Sequence, residues 1–278
     1  MSDWKSMAYK TILLHVDNRP RRAERLALAF TLAERFQAHV VGLFALEAAR
    51  IPSYALAETG QLVIEIERKR RVEDARAAEA QFRQAERRAH TSSEWRLSTD
   101  DATAALRLSA RYADLVIAGQ PEPGEALDRA FAGELVLGAG RPVLFVPYAG
   151  HFADAGKRVM IAWNASREAT RAVTDALPIL ARADSVEVVA FEPGGDHGEI
   201  AGADLAHFLA RHGVKATAAH DVAPGIEIGE RILSRAADID ADLIVMGAYG
   251  RSRVRELVLG GATKGILDAM TVPVLMAH

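Results

Sequence analysis

The residue types best suited to chemistry cluster around glycines in the second half of the chain. The apolar run Leu243-Ile244-Val245-Met246 leads into Gly247-Ala248-Tyr249-Gly250, then Arg251-Ser252-Arg253, and later Gly260-Gly261-Ala262-Thr263-Lys264. A glycine at a strand end lets backbone N–H groups approach an oxyanion, because no Cβ intervenes. Gly260-Gly261 precedes a helix-forming segment over 263–270. A helix N-terminus offers free N–H donors and partial positive charge, which suits a phosphate. Arg251, Arg253 and Lys264 would add full charges. The plain alternative is that these glycines only close strands and start helices, as glycines in such loops often do.

Other chemistries have weaker support. The chain has no cysteine, which excludes thiol nucleophiles, disulfides and Cys-ligated metals. Neither G-x-x-x-x-G-K-[ST] nor a G-x-G-x-x-G after the first strand occurs, so the common phosphate loops are absent. Ser252 has no histidine near it in sequence and no G-x-S-x-G surrounds it, so nucleophilic catalysis lacks a motif. His207 and His212 are five residues apart, a spacing that does not place two ligands on one helix face. No catalytic residue and no metal ligand is assigned. Trp163, beside Asn164, is either packed or available to stack on a base. His15 reads as a core or interface residue.

The elements that must position the glycine loop follow an alternating pattern. Residues 11–16 are a strand ended by the turn residues Asp17-Asn18-Arg19-Pro20. A helical period over 21–36 places Leu26, Phe30 and Ala33 on one face. A strand over 40–46 follows, then a long helix over 55–89 dense in Glu and Arg. Interleaved acids and bases there indicate a solvent-exposed helix rather than a nucleic-acid-binding one. A strand near 95–97, a helix over 102–110, a strand over 115–118, a Pro-rich loop, a short helix and a strand over 143–146 complete the first half. Alternating strands and helices predict parallel βαβ units.

The pattern then restarts after a linker at 148–156. Lys157-Arg158-Val159-Met160-Ile161-Ala162-Trp163-Asn164 lies over Lys10-Thr11-Ile12-Leu13-Leu14-His15-Val16-Asp17. Asp242-Leu243-Ile244-Val245-Met246-Gly247 lies over Asp114-Leu115-Val116-Ile117-Ala118-Gly119, and Val272-Pro273-Val274-Leu275 over Arg141-Pro142-Val143-Leu144. Three blocks in the same order indicate a duplication, with domains at 1–148 and 157–278. Each half ends in an apolar strand, Val143-Leu144-Phe145-Val146 and Val274-Leu275-Met276. Such an edge must be covered or paired, and two like edges can pair with each other.

Composition agrees with this reading. The 278 residues suit two domains. Thirty-four Lys and Arg against 37 Asp and Glu give a net charge of −3, so no global positive field draws the chain to nucleic acid or an anionic membrane. The N-terminal residues lack the apolar core of a signal peptide and no apolar run is long enough to span a membrane. A cytoplasmic location is therefore expected.

The glycine segment resembles the nucleotide-binding signature of the universal stress proteins, G-x2-G-x9-G-[ST], with Gly247, Gly250 and Gly260 at its three glycines. The duplicated chain resembles that family's tandem form. The resemblance implies an α/β, Rossmann-like fold: an open five-stranded parallel sheet per domain, in the order 3-2-1-4-5, with flanking helices. It also implies a nucleotide, ATP with or without Mg2+, held by Asn164, Ser166, Gly247, Gly250, Arg251, Ser252, Gly260, Gly261, Ala262 and Thr263. Two positions depart from the family pattern. Asn164 stands where Asp is typical at the end of the first strand, and Gly261 stands at the [ST] position. Thr263, two residues on, is a candidate replacement hydroxyl.

The first half departs further. Asp17 sits at the first-strand position, but Gly119 is followed by Gln120-Pro121-Glu122-Pro123-Gly124. Prolines remove N–H donors, so this half is not expected to bind ATP. The implied function is a stress-response module that senses or regulates through a nucleotide in its second domain. Homodimer formation is implied by the family's tendency to self-associate. The alternatives are a slow ATPase or self-phosphorylating protein, and a chain that holds another ligand or partner instead of a nucleotide.

Overall fold

The structure, a computed structural model, describes residues 8–19, 21–46, 56–121, 126–191, 202–221, 225–250 and 261–278. The first half runs β1 (Thr11–Val16), α1 (Arg22–Phe36), β2 (His39–Ala45), α2 (Leu56–Arg88), β3 (Ser93–Ser98), α3 (Ala102–Ala110), β4 (Leu115–Gly119), α4 (Ala126–Ala139) and β5 (Val143–Val146). The second runs β6 (Arg158–Trp163), α5 (Arg167–Leu180), β7 (Ser185–Phe191), α6 (Ala203–Arg211), β8 (Ala216–Asp221), α7 (Ile228–Asp238), β9 (Leu243–Gly247), α8 (Gly261–Ala269) and β10 (Val274–Ala277).

Local chemistry sets the element ends. Asp101 caps α3 by accepting from the N–H groups of Thr103 and Ala104, and Ser166 caps α5 by accepting from Ala169. Gln37 ends α1 in the left-handed conformation, its N–H bonded to the carbonyls of Ala33 and Glu34. Helix α2 carries the expected solvent-facing pairs, such as Glu65 with Lys69 at 3.1 Å.

The sheet order is β3-β2-β1-β4-β5-β10-β9-β6-β7-β8. Each half has the 3-2-1-4-5 order, and pairing within each half is parallel. The two five-stranded sheets are joined into one ten-stranded sheet by the antiparallel pair β5 and β10. Leu144 faces Leu275 at the centre of that pair, flanked by Val143 with Met276 and Phe145 with Val274. The two apolar last strands therefore bury each other, which removes both as free edges.

The duplication extends to single hydrogen bonds. Asp114 accepts from the N–H groups of Lys10 and Thr11 at 2.7 and 3.0 Å, tying the start of β4 to that of β1. Asp242 does the same for Lys157 and Arg158, at 3.0 Å each. Alternating strand residues feed a separate core on each face. Ile12, Leu144, Ile161 and Leu275 lie in one core, and Leu13, Phe145, Met160 and Met276 in the other. Both cores cross the β5–β10 seam. Further seam contacts are the Tyr9 hydroxyl donating to the carbonyl of Asp175 at 2.7 Å and Arg35 donating to that of Ala155 at 2.7 Å.

Candidate functional site

In each half the chain moves outward through the first three strands and then crosses back to the fourth on the other side. Parallel α/β sheets bind ligands in the crevice beyond the carboxyl ends at such a reversal. The chain thus has two such crevices, one beyond β1 and β4 and one beyond β6 and β9.

The first crevice is filled by the protein itself. Asp17 accepts from the N–H of Arg19 at 3.0 Å. Its carboxylate also pairs with Arg25 of α1 and lies 3.6 Å from the Arg19 guanidinium. Arg25 is only 3% exposed, and its Nη1 occupies the place where a Cβ on Gly119 would project. Arg19 reaches onward to the carbonyl of Gln120 at 3.3 Å. Burial alone would raise the pKa of Asp17, but Arg25, His15 and Arg19 outweigh it and hold the carboxyl below its ordinary range. His15 sits within this cluster, its ring 5.0 Å from that of Phe131. Sequence reasoning found Asp17 but missed Arg25. A lone arginine on an apolar helix face gave no sign of a partner in the preceding loop. Glu122, Pro123 and Gly124 lie outside the described residues.

The second crevice is built differently. Asn164, exposed at the end of β6, accepts from the N–H of Ser166 at 3.2 Å, and Ala165 between them has φ 55°. Ser166 spends its hydroxyl on the cap of α5, accepting from Ala169 at 3.1 Å. Gly247 is required by packing, since a Cβ there would strike the backbone of Glu168 and Ala169. The first turn of α5 therefore lies directly on the end of β9. Tyr249 takes a positive φ, at 56°. The N–H of Tyr249 donates to the Thr263 hydroxyl at 3.3 Å. Thr263 is 4% exposed, so this hydroxyl ties the glycine loop to α8. Gly261 and Ala262 form the first turn of α8. Arg251, Ser252 and Gly260 lie outside the described residues. Trp163 is half-buried and packed against the core.

One feature of this crevice escaped sequence reasoning. Glu168 is 6% exposed, and its Oε2 lies 3.5 Å from where a Cβ on Gly250 would sit. Its other oxygen faces the Arg167 guanidinium at 3.4 Å. A carboxylate therefore flanks the glycine loop. Only its place in the first turn of α5 could have hinted at it.

The described residues fit a phosphate in their donors. The first four N–H groups of a helix, counted from its N-cap, have no partner within it, and in α8 the described ones belong to residues 261–263. Gly250 adds main chain without a side chain in the way. Among the described residues, no group of three or more His, Asp or Glu is placed to hold a metal ion, and no helix is long and apolar enough to cross a membrane.

The model of the Universal stress protein family matches residues 156–278. No curated protein matches the sequence significantly. A universal stress protein from Archaeoglobus fulgidus DSM 4304 has a similar fold, with a TM-score of 0.74 over 96% of this chain and 97% of that chain, at 16% identity. A functionally unknown protein from Pseudomonas aeruginosa PAO1 is similar over 99% of this chain and 94% of that chain, with a TM-score of 0.56 and 17% identity. The chain carries a universal stress protein domain at 156–278, within a fold of two like halves.

Proposed function

We propose that the second half binds a nucleotide, with ATP the first candidate, in the crevice beyond β6 and β9. On this reading the chain is a regulatory or sensing module of a stress response. The contrast between the two crevices carries the reading. The first is plugged by Arg25 and Arg19 on Asp17, whereas the second brings Gly247, Gly250 and the first turn of α8 together behind an exposed Asn164. Main-chain N–H groups of Gly250, Gly261 and Ala262 would hold phosphate oxygens, with Arg251, Ser252 and Gly260 completing the loop. Asn164 would contact the nucleoside by donating and accepting hydrogen bonds. Thr263 would act by fixing Tyr249 rather than by touching the ligand. Asn164 brings no negative charge for a cation, so Mg2+ would enter on the phosphates. Binding shifts an equilibrium between conformations or partners. The last strands of the two halves already pair with each other, so a homodimer would use another surface.

The test is mass spectrometry of small molecules released from freshly purified protein, followed by calorimetric titration with ATP and Mg2+. One equivalent of adenine nucleotide per chain supports the reading. No bound nucleotide and no heat at millimolar ATP would refute it. Phosphate release over minutes would make the protein a slow ATPase rather than a sensor.

A further inference from the structure

Gln120 follows β4 where Ala248 follows β9. The main-chain bonds match: Gln120 N–H donates to Val146 at 2.8 Å and Ala248 N–H to Ala277 at 2.9 Å. The side chains do not match, and that of Gln120 is 2% exposed with both ends engaged. Its Oε1 accepts from the N–H of Tyr148 at 3.0 Å. Its Nε2 crosses the seam and donates to the carbonyl of Leu267 in α8 at 3.0 Å.

Leu267 lies near the C-terminal end of α8. The last four carbonyls of a helix lack partners within it. Met270 N–H serves Ile266 at 2.8 Å, and Gln120 serves Leu267. One half of the chain thus supplies a C-terminal cap to a helix of the other. The opposite end of that helix is Gly261-Ala262-Thr263, where the Thr263 hydroxyl takes the Tyr249 N–H. At about 1.5 Å per residue, nine residues span roughly 13 Å, short enough to move as one rod. On the other side, the Gln120 carbonyl accepts from Arg19, which also holds Asp17.

We propose that Gln120 is a positioning residue for the second-half site. It anchors the C-terminal end of α8 so that the N-terminal end and the Tyr249–Gly250 loop are held ready for phosphate. The plugged first half then serves the site next door through Arg19 and Gln120. This rests on the nucleotide reading above.

The test uses the full chain with Gln120→Met, which keeps volume and removes both hydrogen bonds, and with Gln120→Asn, which keeps polarity but is too short to span Tyr148 and Leu267. Amide exchange is followed by mass spectrometry without nucleotide, and ATP affinity by calorimetry. Exchange over 249–250 and 261–269 is expected to quicken about tenfold in either variant, with β1 and β2 unchanged. ATP affinity is expected to fall about five- to tenfold. Wild-type exchange rates over 261–269 in both variants would overturn the proposal. So would equal acceleration in β1 and β2, which would mark a general stability role. If Gln120→Met does not fold, Gln120→Asn decides by the same readings. If the wild-type chain takes up no ATP, the nucleotide reading fails, and exchange alone still judges Gln120.

Discussion

Removing Arg25 should expose how strongly the first crevice depends on its internal ion pair. The guanidinium is almost fully buried and pairs with Asp17, whose carboxylate also meets the Arg19 N–H and guanidinium and the His15 ring. Breaking a buried pair by deleting one partner costs about 3–5 kcal/mol, because the remaining charge is left uncompensated. At roughly 2–4 °C per kcal/mol for a chain of this size, Arg25→Ala should lower Tm by about 6–20 °C. Gly119→Ala in the wild-type chain places a Cβ against Arg25 and should cost about 1–3 kcal/mol. In the Arg25→Ala background that obstacle is gone. The double-mutant cycle, read by urea unfolding, should therefore show coupling of at least about 1 kcal/mol. The pH dependence has a definite sign. The folded-state pKa of Asp17 is depressed, so its contribution is present above the unfolded value of about 3.9 and is lost as pH falls through the folded value. The stability gap between wild type and Arg25→Ala should narrow below about pH 4. A cost under about 1 kcal/mol, as for exposed pairs, or simple additivity with Gly119→Ala, would refute this account.

Three other outcomes are expected. Gly250→Val should fold and lose ATP binding in calorimetry, because it adds bulk beside Glu168 in the crevice, whereas Gly247→Ala should unfold early in a thermal melt by striking the α5 backbone. Glu168→Gln should tighten ATP binding about fourfold, since one charge at about 5 Å in water-like dielectric is worth about 0.8 kcal/mol; equal or weaker binding by titration would show that Glu168 does not oppose the ligand. Burial, with Asp175 and Asp114 adding, pushes the Tyr9 phenol far above its ordinary value. Its contribution is present below the unfolded value of about 10 and lost as pH rises above it. Alkaline ultraviolet titration against Tyr9→Phe should show that Tyr9 ionises only as the fold opens.

The sequence by itself determined the elements and their duplication. Strand positions were legible because buried β-strands need unbroken apolar runs, as in 115–118 and 243–246. Asp114 and Asp242 repeat because each must accept from the N–H groups at the start of the neighbouring strand. The pairing of β5 with β10 was foreshadowed by two apolar edges that needed cover. The glycine loop was visible as spacing, and its family resemblance as a motif. Tertiary structure alone decided what surrounds those residues. Arg25 is eight positions from Asp17 and far in sequence from Gly119, yet it lies against both. Gln120 read only as part of a loop that lacks the spaced glycines, while its partner Leu267 is 147 residues away. Glu168 is an ordinary first-turn acid until the packing of α5 on Gly247 places its carboxylate beside Gly250. Hydrophobic period and glycine spacing are local constraints on the backbone and can be read along the chain. Ion pairs and caps across the sheet depend on which side chains the fold brings within about 3 Å, and no local pattern records that.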